Sequence, residues 1–189
     1  MPLPDGFETI EVKSTEALWA WLGANHAVSD SVILITWKKH HPAQYVDRDA
    51  VLDALVAYGW IDGRRYTVDD DHSGQLIARR KVQHWAASYK TRAENLEKDG
   101  RMRPPGRASV EDGKRNGLWD FMDDVDALIV PDDLGTALGA SRSSWDALAP
   151  SYRRNVLRWI KLAKTEPTRA KRIVQAAGAT KSGEKLAQM

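Results

Sequence analysis

Residues Tyr58 to Arg80 read YGWIDGRRYTVDDDHSGQLIARR, and this stretch decides the fold of the first half of the chain. Its segments WIDGRRYTV and QLIARR have the composition of strands, and the polar DDDHSG between them is typical of a turn. The stretch therefore predicts a β-hairpin. Trp60 and Asp62 are two residues apart, so they share one face of the first strand. The second strand would return Arg79 and Arg80 towards them.

The segments before the hairpin alternate between helix and strand. Ser14 suits the N-cap of a first helix, because apolar residues recur at helical spacing after it. The run SVILITW at Ser31–Trp37 is rich in β-branched residues, which predicts a buried strand. A second helix is expected over Val46–Tyr58, and Gly59 stands where a left-handed residue would end it.

The chain after the hairpin is predicted to be mainly helical. HWAASYKTRAENLEKDG has an amphipathic pattern, RMRPPG resembles a stiff connector, and RASVEDGKRNG is a short helix at most. Two further helices, within PSYRRNVLRWIKLAK and TRAKRIVQAAG, follow towards the C-terminus. We therefore expect an α+β fold, with a small antiparallel sheet covered by helices in residues 1–119. A helical C-terminal subdomain is expected over residues 131–185.

Composition indicates a soluble, cytoplasmic protein. The 189 residues include no cysteine, which excludes disulfides, thiolate metal sites and a cysteine nucleophile. The first residues lack the basic and apolar regions of a signal peptide. No apolar run approaches the roughly 20 residues that span a bilayer, so no membrane insertion is expected. Eight tryptophans against two phenylalanines is an unusual ratio, and most of the eight should be core residues.

Charge is unevenly distributed along the chain. Residues 151–189 contain ten Lys or Arg and two Glu, a formal +8, so residues 1–150 carry about −6 of the total +2. Clustered cations favour phosphate binding, which makes a nucleic-acid interface one alternative. Six aspartates within Asp120–Asp133 could instead neutralise these cations inside the molecule. The candidate nucleic-acid contacts are Arg153, Arg154, Arg158, Lys161, Arg169 and Arg172.

The histidines do not predict a metal site. His40 and His41 are adjacent, so on an extended chain they would face opposite ways. His72 lies in an acidic turn that could at most chelate a hard cation weakly. Neither group forms a complete ligand set, and the sequence contains no phosphate loop, nucleophile elbow or zinc-protease motif. We therefore predict no metal and no cofactor, and we favour a protein that is not an enzyme.

One group of residues combines aromatic walls with opposite charges. It predicts a pocket for a small anionic ligand, with two tryptophans as walls, a carboxylate as acceptor and arginines for the anion. Its members are Trp60, Asp62, Arg79, Arg80, Trp85 and Arg101. Three alternatives stay open: the arginines pair with acids of the same half, the protein binds a protein partner, or Asp62 is the general base of an enzyme of unrecognised class.

Several stretches together resemble the YdeI/OmdA family. They are LWAWLGANHA, SVILITWKK, YVDRDAVLDALVAYGWIDG, HWAASYKTRAENLEKDGRMRPPG and LAPSYRRNVLRWIKLAKTEPTRAKRI, and they span about Trp19 to Arg172. Family members usually have Pro-Arg where this chain has Ala78-Arg79, and Ser-x-Trp-Ser where it has QHWA. The resemblance implies an intracellular bacterial protein linked to stress or to bacteriocin protection. It implies no reaction and no cofactor.

Overall fold

The computed structural model contains one four-stranded sheet, and it describes residues 3–4 and 6–186. The strands are β1 (Thr9–Val12), β2 (Ser31–Trp37), β3 (Trp60–Thr67) and β4 (His72–Arg79). Their order across the sheet is β1–β2–β4–β3. Helices make up most of the remaining structure, which confirms the predicted α+β class.

The predicted strands are all present, and the hairpin is confirmed by antiparallel pairing of β3 with β4 and of β4 with β2. The three predicted strands thus form the expected antiparallel sheet, and a fourth strand that was not predicted, β1, pairs with β2 in parallel. A parallel neighbour requires a crossover, and the helix between β1 and β2 supplies it. The segment TIEV is only four residues long, too short for alternation to distinguish it from a loop.

A bulge interrupts the hairpin at Gly63 and Arg64. Asp62 lies opposite Ile77, but the next paired residue of β3 is Arg65, which lies opposite Gln75. Two residues of β3 therefore face one residue of β4. Because side chains alternate along a strand, the extra residue turns Arg65 to the same face as Asp62.

Four helices accompany the sheet in the first compact unit, which ends at Asp120. They are α1 (Thr15–Asn25), α2 (Arg48–Ala57), α3 (Ala87–Lys98) and α4 (Pro104–Arg115). The Ser14 hydroxyl caps α1 by accepting a hydrogen bond of 3.1 Å from the backbone N–H of Ala17. The expected connector and short helix are instead the twelve-residue α4, which starts with proline at a position where its missing N–H costs nothing.

Gly59 ends α2 as predicted and also makes room for α4. Its φ of +70° is in the left-handed region that glycine adopts without strain. A Cβ added there would lie 2.8 Å from the carbonyl oxygen of Pro105. The first glycine of GWIDG is therefore required both by backbone conformation and by helix packing.

The face of the sheet that meets α1 and α2 changes character along its length. At one end, Val32, Ile77 and Trp60 are fully buried against leucines of the two helices. Towards the other end, the residues that share this face are polar: Thr36 lies opposite Ser73, and Gln75 lies opposite Arg65. A well-packed core would be apolar throughout, so the polar end must border water or a ligand.

The second compact unit begins at Phe121 and is helical. Its helices are α5 (Asp123–Asp126), α6 (Asp132–Leu138), α7 (Arg142–Asp146), α8 (Pro150–Lys161) and α9 (Glu166–Ser182). Trp145, Val156 and Ile160 lie at the centre of its own apolar core. Within residues 3–4 and 6–186, every helix is too short or too polar to span a membrane.

Candidate functional site

Trp60 is part of the core of the first unit, so it is not an accessible pocket wall. Its side chain is fully buried. The indole Nε1 donates a hydrogen bond of 3.4 Å to the carbonyl oxygen of His26, and the ring meets Trp21 edge-on at 5.7 Å. A residue without accessible surface can support a site but cannot touch a ligand.

Asp62 connects three elements of the first unit. The hydroxyl of Tyr89, on α3, donates to its Oδ1, and Nε2 of Gln75, on β4, donates to its Oδ2 at 3.0 Å. Both carboxylate oxygens are therefore engaged within the protein. These bonds hold the carboxylate between β3, β4 and α3.

Arg79, Arg80 and Trp85 line a cavity of about 290 Å³ beside α4, the Arg80 cavity. The guanidinium of Arg80 lies 4.0 Å above the Trp85 ring, and its Nη1 donates to the carbonyl oxygens of Gln83 and His84. Arg79 donates to the Ser29 carbonyl oxygen and pairs at 2.8 Å with Asp30, in the loop before β2. Each of the two arginines thus makes two contacts of its guanidinium with other groups of the protein.

Burial changes the electrostatics of Arg80. Desolvation lowers the pKa of its guanidinium to about 10, although the nearby Asp62 carboxylate opposes that shift. Its Nη2 is buried and has no hydrogen-bond partner within the described part of the chain. Arg80 therefore stays charged at neutral pH, but its Nη2 has no exposed surface through which a ligand could reach it.

Arg101 does not join the other five predicted residues. It lies 3.5 Å from Asp53 and 5.0 Å above the ring of Trp19. The same Asp53 accepts from Arg92 of α3, so these charges hold α3 against α2. The predicted set is therefore divided between a core position, the Arg80 cavity and this ion cluster.

A larger cavity lies at the polar end of the sheet, between the sheet and the start of α2. Its volume is about 340 Å³, and we call it the sheet cavity. Its floor includes Thr36, Ser73 and Gln75. Four cations line it, and no acidic residue does so among the residues that the structure describes. These cations are Lys38, Lys39, Arg48 and Arg65.

The four cations make few contacts with the rest of the protein. Lys38 donates to the carbonyl oxygen of Asp69 at 2.7 Å, and Lys39 lies 5.8 Å above the ring of Tyr45. Arg48 and Arg65 are exposed, and neither pairs with a carboxylate of residues 3–4 or 6–186. Exposed arginines beside polar floor residues are available to an anion.

Sequence interpretation missed this cavity because its cations come from separate elements. Arg48 is the first residue of α2, where the positive end of the helix dipole disfavours a cation. A cation at this unfavourable position could have indicated from the sequence that Arg48 has a role in binding. For Arg65 there was no such signal, because strict alternation would have turned Arg64 to the face of Asp62, and only the bulge reverses this.

The expectation that His40 and His41 face opposite ways is also wrong. They lie in a turn after β2 rather than on an extended chain. Nε2 of His40 is 3.0 Å and Nε2 of His41 is 2.7 Å from the same oxygen, Oδ1 of Asp71. These hydrogen bonds, His41 first, lower the pKa of Asp71 to about 2, so its carboxylate is ionised at neutral pH.

Most candidate nucleic-acid contacts of the second unit are paired with aspartates of that unit. Two of the pairs join residues of the acidic segment to α8, and one joins it to α9. The ion pairs are Arg153–Asp146, Arg154–Asp126, Lys161–Asp124 and Arg169–Asp133. Arg172 donates to the carbonyl oxygen of Trp159, and Nε of Arg158 is buried. This arrangement favours internal neutralisation, and the nucleic-acid interface stays a prediction.

Comparison with known families divides the chain in two. Residues 10–109, more than half of the chain, match the family model of a domain of unknown function, DUF8412. Residues 127–183 match the family described as Bacteriocin-protection, YdeI or OmpD-Associated, a narrower range than the resemblance suggested. No curated protein and no solved structure matches the chain. The chain therefore belongs to the DUF8412 family, and its residues 127–183 are similar to the YdeI/OmdA family.

Proposed function

We propose that the first unit is a non-enzymatic binding module for a small organic anion, which it holds in the sheet cavity. The observation that carries the proposal is the charge of this cavity. Four cations line about 340 Å³, no described acid lines it, and two of the cations are arginines that pair with no carboxylate of residues 3–4 or 6–186. Like charges brought together without counterions repel one another, so a bound anion would relieve a cost that the free protein bears.

The chemistry of the lining favours phosphate or carboxylate groups. Arginine donates two parallel hydrogen bonds to either group, and the hydroxyls of Thr36 and Ser73 can complete its coordination. The volume lies at the small end of known ligand sites, which suits a metabolite rather than a polymer. The dipole of α2 disfavours a cation at Arg48, so the helix dipole does not account for a positive charge at this position.

The Arg80 cavity, which contains three of the six residues predicted from sequence, is the weaker candidate. Arg79 and Arg80 use their donors on carbonyl groups and on Asp30. The spare Nη2 of Arg80 is buried against protein atoms. A ligand would have to displace existing contacts there, whereas in the sheet cavity it would meet the exposed Arg48 and Arg65, which pair with no acid among the described residues.

A thermal-shift screen against anionic metabolites, with inorganic pyrophosphate as the reference probe, tests the proposal. A ligand at about 100 times its dissociation constant adds about 2.7 kcal/mol of stability, which raises the melting temperature by several degrees. Hits are then titrated by calorimetry in buffer that contains EDTA and low salt. We expect one site per chain and an affinity that falls as salt rises.

The hairpin offers a matched control for the titration. Arg64 and Arg65 are adjacent, both exposed and equally charged, but only Arg65 lines the sheet cavity. We expect Arg65→Ala to weaken binding at least about tenfold, while Arg64→Ala leaves it unchanged. Equal loss in both variants would mean nonspecific charge attraction. Loss in Arg80→Ala alone would move the ligand to the Arg80 cavity, and both results would overturn the proposal.

The family of residues 127–183 suggests where such binding would matter. We infer that anion binding by the first unit serves bacteriocin protection. In a bacterial host that lacks the gene, the wild-type chain should restore survival under bacteriocin, and the Arg48→Ala/Arg65→Ala variant should not. Full protection by a variant that no longer binds anions would separate the two roles.

A further inference from the structure

Two histidines and an aspartate converge on the outer side of the loop that follows β2. Nε2 of His40 and Nε2 of His41 both approach Oδ1 of Asp71, at 3.0 and 2.7 Å. All three donor atoms lie within 4.8 Å of one another. We propose that His40, His41 and Asp71 form a binding site for a divalent transition metal ion such as Zn²⁺, Ni²⁺ or Co²⁺.

The distances are close to those that a metal ion needs. Bonds of about 2.0–2.2 Å to nitrogen and oxygen place tetrahedral ligand atoms roughly 3.3 Å apart, and octahedral ones roughly 2.9 Å apart. The two hydrogen-bonded His–Asp distances would open slightly when an ion replaces the shared protons, and the two histidine nitrogens already lie within 4.8 Å of each other. Two imidazoles and one carboxylate suit borderline metals better than Mg²⁺ or Ca²⁺, which prefer oxygen ligands.

The chain holds this cluster in place from both sides. The backbone N–H of Lys38 donates to the carbonyl oxygen of Asp71 at 2.8 Å, which ties the histidine loop to the turn between β3 and β4. The N–H of His41 donates to the Lys38 carbonyl at 2.9 Å, and this turn brings the two imidazoles to one side. The carboxylate of Asp69 accepts from the N–H groups of Asp71 and His72, so the aspartate turn is also fixed.

Ring packing orients one of the histidines further. The Trp37 ring meets the His41 ring edge-on, with ring centroids 4.8 Å apart. Trp37 also packs against the ring of His72, at 4.2 Å. The side chain of Asp71 is 50% exposed and that of His40 is 56% exposed, so an ion can enter from solvent. Three protein ligands would leave the remaining positions to water, which is the open form of a metal site.

Direct metal titration of the untagged full-length chain tests this inference. After treatment with chelator, Zn²⁺ and Ni²⁺ are titrated by calorimetry in buffer free of phosphate, and Co²⁺ is followed by its visible absorption. We expect one ion per chain and a loss of affinity of at least about tenfold in His41→Ala and in Asp71→Asn. His84→Gln, a histidine outside the cluster, should bind as the wild type does.

Unfolding midpoints without metal show whether the variants remain folded. His40→Ala provides a second test on an exposed residue, in case Asp71→Asn loosens the turn. No binding by the wild type, or equal binding by His41→Ala and Asp71→Asn, would overturn the proposal. Because the anion titration contains EDTA and the metal titration lacks phosphate, the two proposals can fail independently.

Discussion

The sheet cavity and the Arg80 cavity use the same kind of side chain in opposite ways. In the Arg80 cavity, the guanidinium of Arg80 stacks on Trp85 and donates to the carbonyl oxygens of Gln83 and His84, so the charge helps hold the loop before α3 in place. In the sheet cavity, Arg48 and Arg65 extend from different elements towards a shared space and have no described acidic partner. The first arrangement stabilises the fold, and the second is suited to bind.

Density of arginine along the sequence is therefore a poor guide to an anion site. Adjacent Arg79 and Arg80 drew the prediction, yet both contact carbonyl groups of the protein and Arg79 also pairs with Asp30. What distinguishes a binding cation is the absence of a partner together with accessible surface, and both properties depend on the tertiary structure. The second unit teaches the same lesson, since four of its six candidate nucleic-acid contacts pair with aspartates of the same unit.

Removing Trp85 should have the largest effect on stability. The ring is 1% exposed, it packs against Trp119 at 4.9 Å, and it supports Arg80. Trp85→Ala should lower the free energy of unfolding by about 3–5 kcal/mol, measured by urea denaturation. If this variant has the same free energy of unfolding as the wild type but loses anion binding, the Arg80 cavity is the ligand site. The Arg80 cavity would then bind the anion rather than stabilise the fold.

The double variant Arg48→Ala/Arg65→Ala should have the largest effect on binding. Two charge-assisted contacts are lost, so we expect the affinity for pyrophosphate to fall at least about a hundredfold, or about 2.7 kcal/mol. Stability should be unchanged or slightly higher, because Arg48 opposes the dipole of α2. Calorimetry and urea denaturation of the same sample separate the two quantities. A stability loss that matches the affinity loss would mean a structural role.

Arg80→Ala should lower the stability and leave anion binding unchanged, and its effect should be smaller than that of the double variant. The stacking and the bonds to two carbonyls are lost, but an unpartnered buried nitrogen is removed as well. We expect a net loss of about 1–2 kcal/mol in the free energy of unfolding and unchanged anion affinity. Weaker binding without a stability change would contradict this assignment.

Asp133→Asn should have the smallest effect and should depend on pH. Arg169 donates to both oxygens of Asp133 at 2.7 and 2.9 Å, which lowers the pKa of Asp133 below its ordinary 3.8. A lowered pKa stabilises the fold above pH 3.8, and this contribution is lost as pH falls through the folded value. Because the pair is partly exposed, the difference from wild type at pH 7 should stay below about 1 kcal/mol.

Urea denaturation of the wild type and of Asp133→Asn between pH 7 and pH 2 measures this contribution. The difference between the two proteins should be constant at neutral pH and shrink below pH 3.8. A difference that persists at pH 2 would have another origin than the ion pair. If Asp133→Asn instead gained affinity for duplex DNA, Arg169 would be able to bind phosphate once its aspartate is removed. The ion pairs of the second unit would then mask a nucleic-acid site rather than serve the fold alone.

Local patterns predicted much of the fold. SVILITW forms β2 over the predicted residues, the hairpin is present, and Gly59 has its expected left-handed conformation. Each of these depends on propensity and spacing that a short window contains. β1 is too short for such a signal, and α4 was hidden by two prolines that serve as its first turn.

The candidate site could be predicted much less well, for reasons of geometry. A single bulge decides that Arg65 rather than Arg64 lines the sheet cavity. A turn brings His40 and His41 to one carboxylate, although they would diverge on an extended chain. Bulges and loop turns leave little trace in composition, so these side chains could be assigned only once the register and the loop were known.

An NMR titration of the ¹⁵N-labelled chain with inorganic pyrophosphate, in buffer with EDTA, tests the central claim most directly. The amides of Thr36, Ser73 and Gln75 report on the sheet cavity, and the Trp85 indole N–H reports on the Arg80 cavity. We predict that the signals of the three amides shift and saturate with one pyrophosphate bound per chain, while the indole signal stays in place. Shifts of the indole signal alone, or no saturable shift at the three amides, would contradict the account.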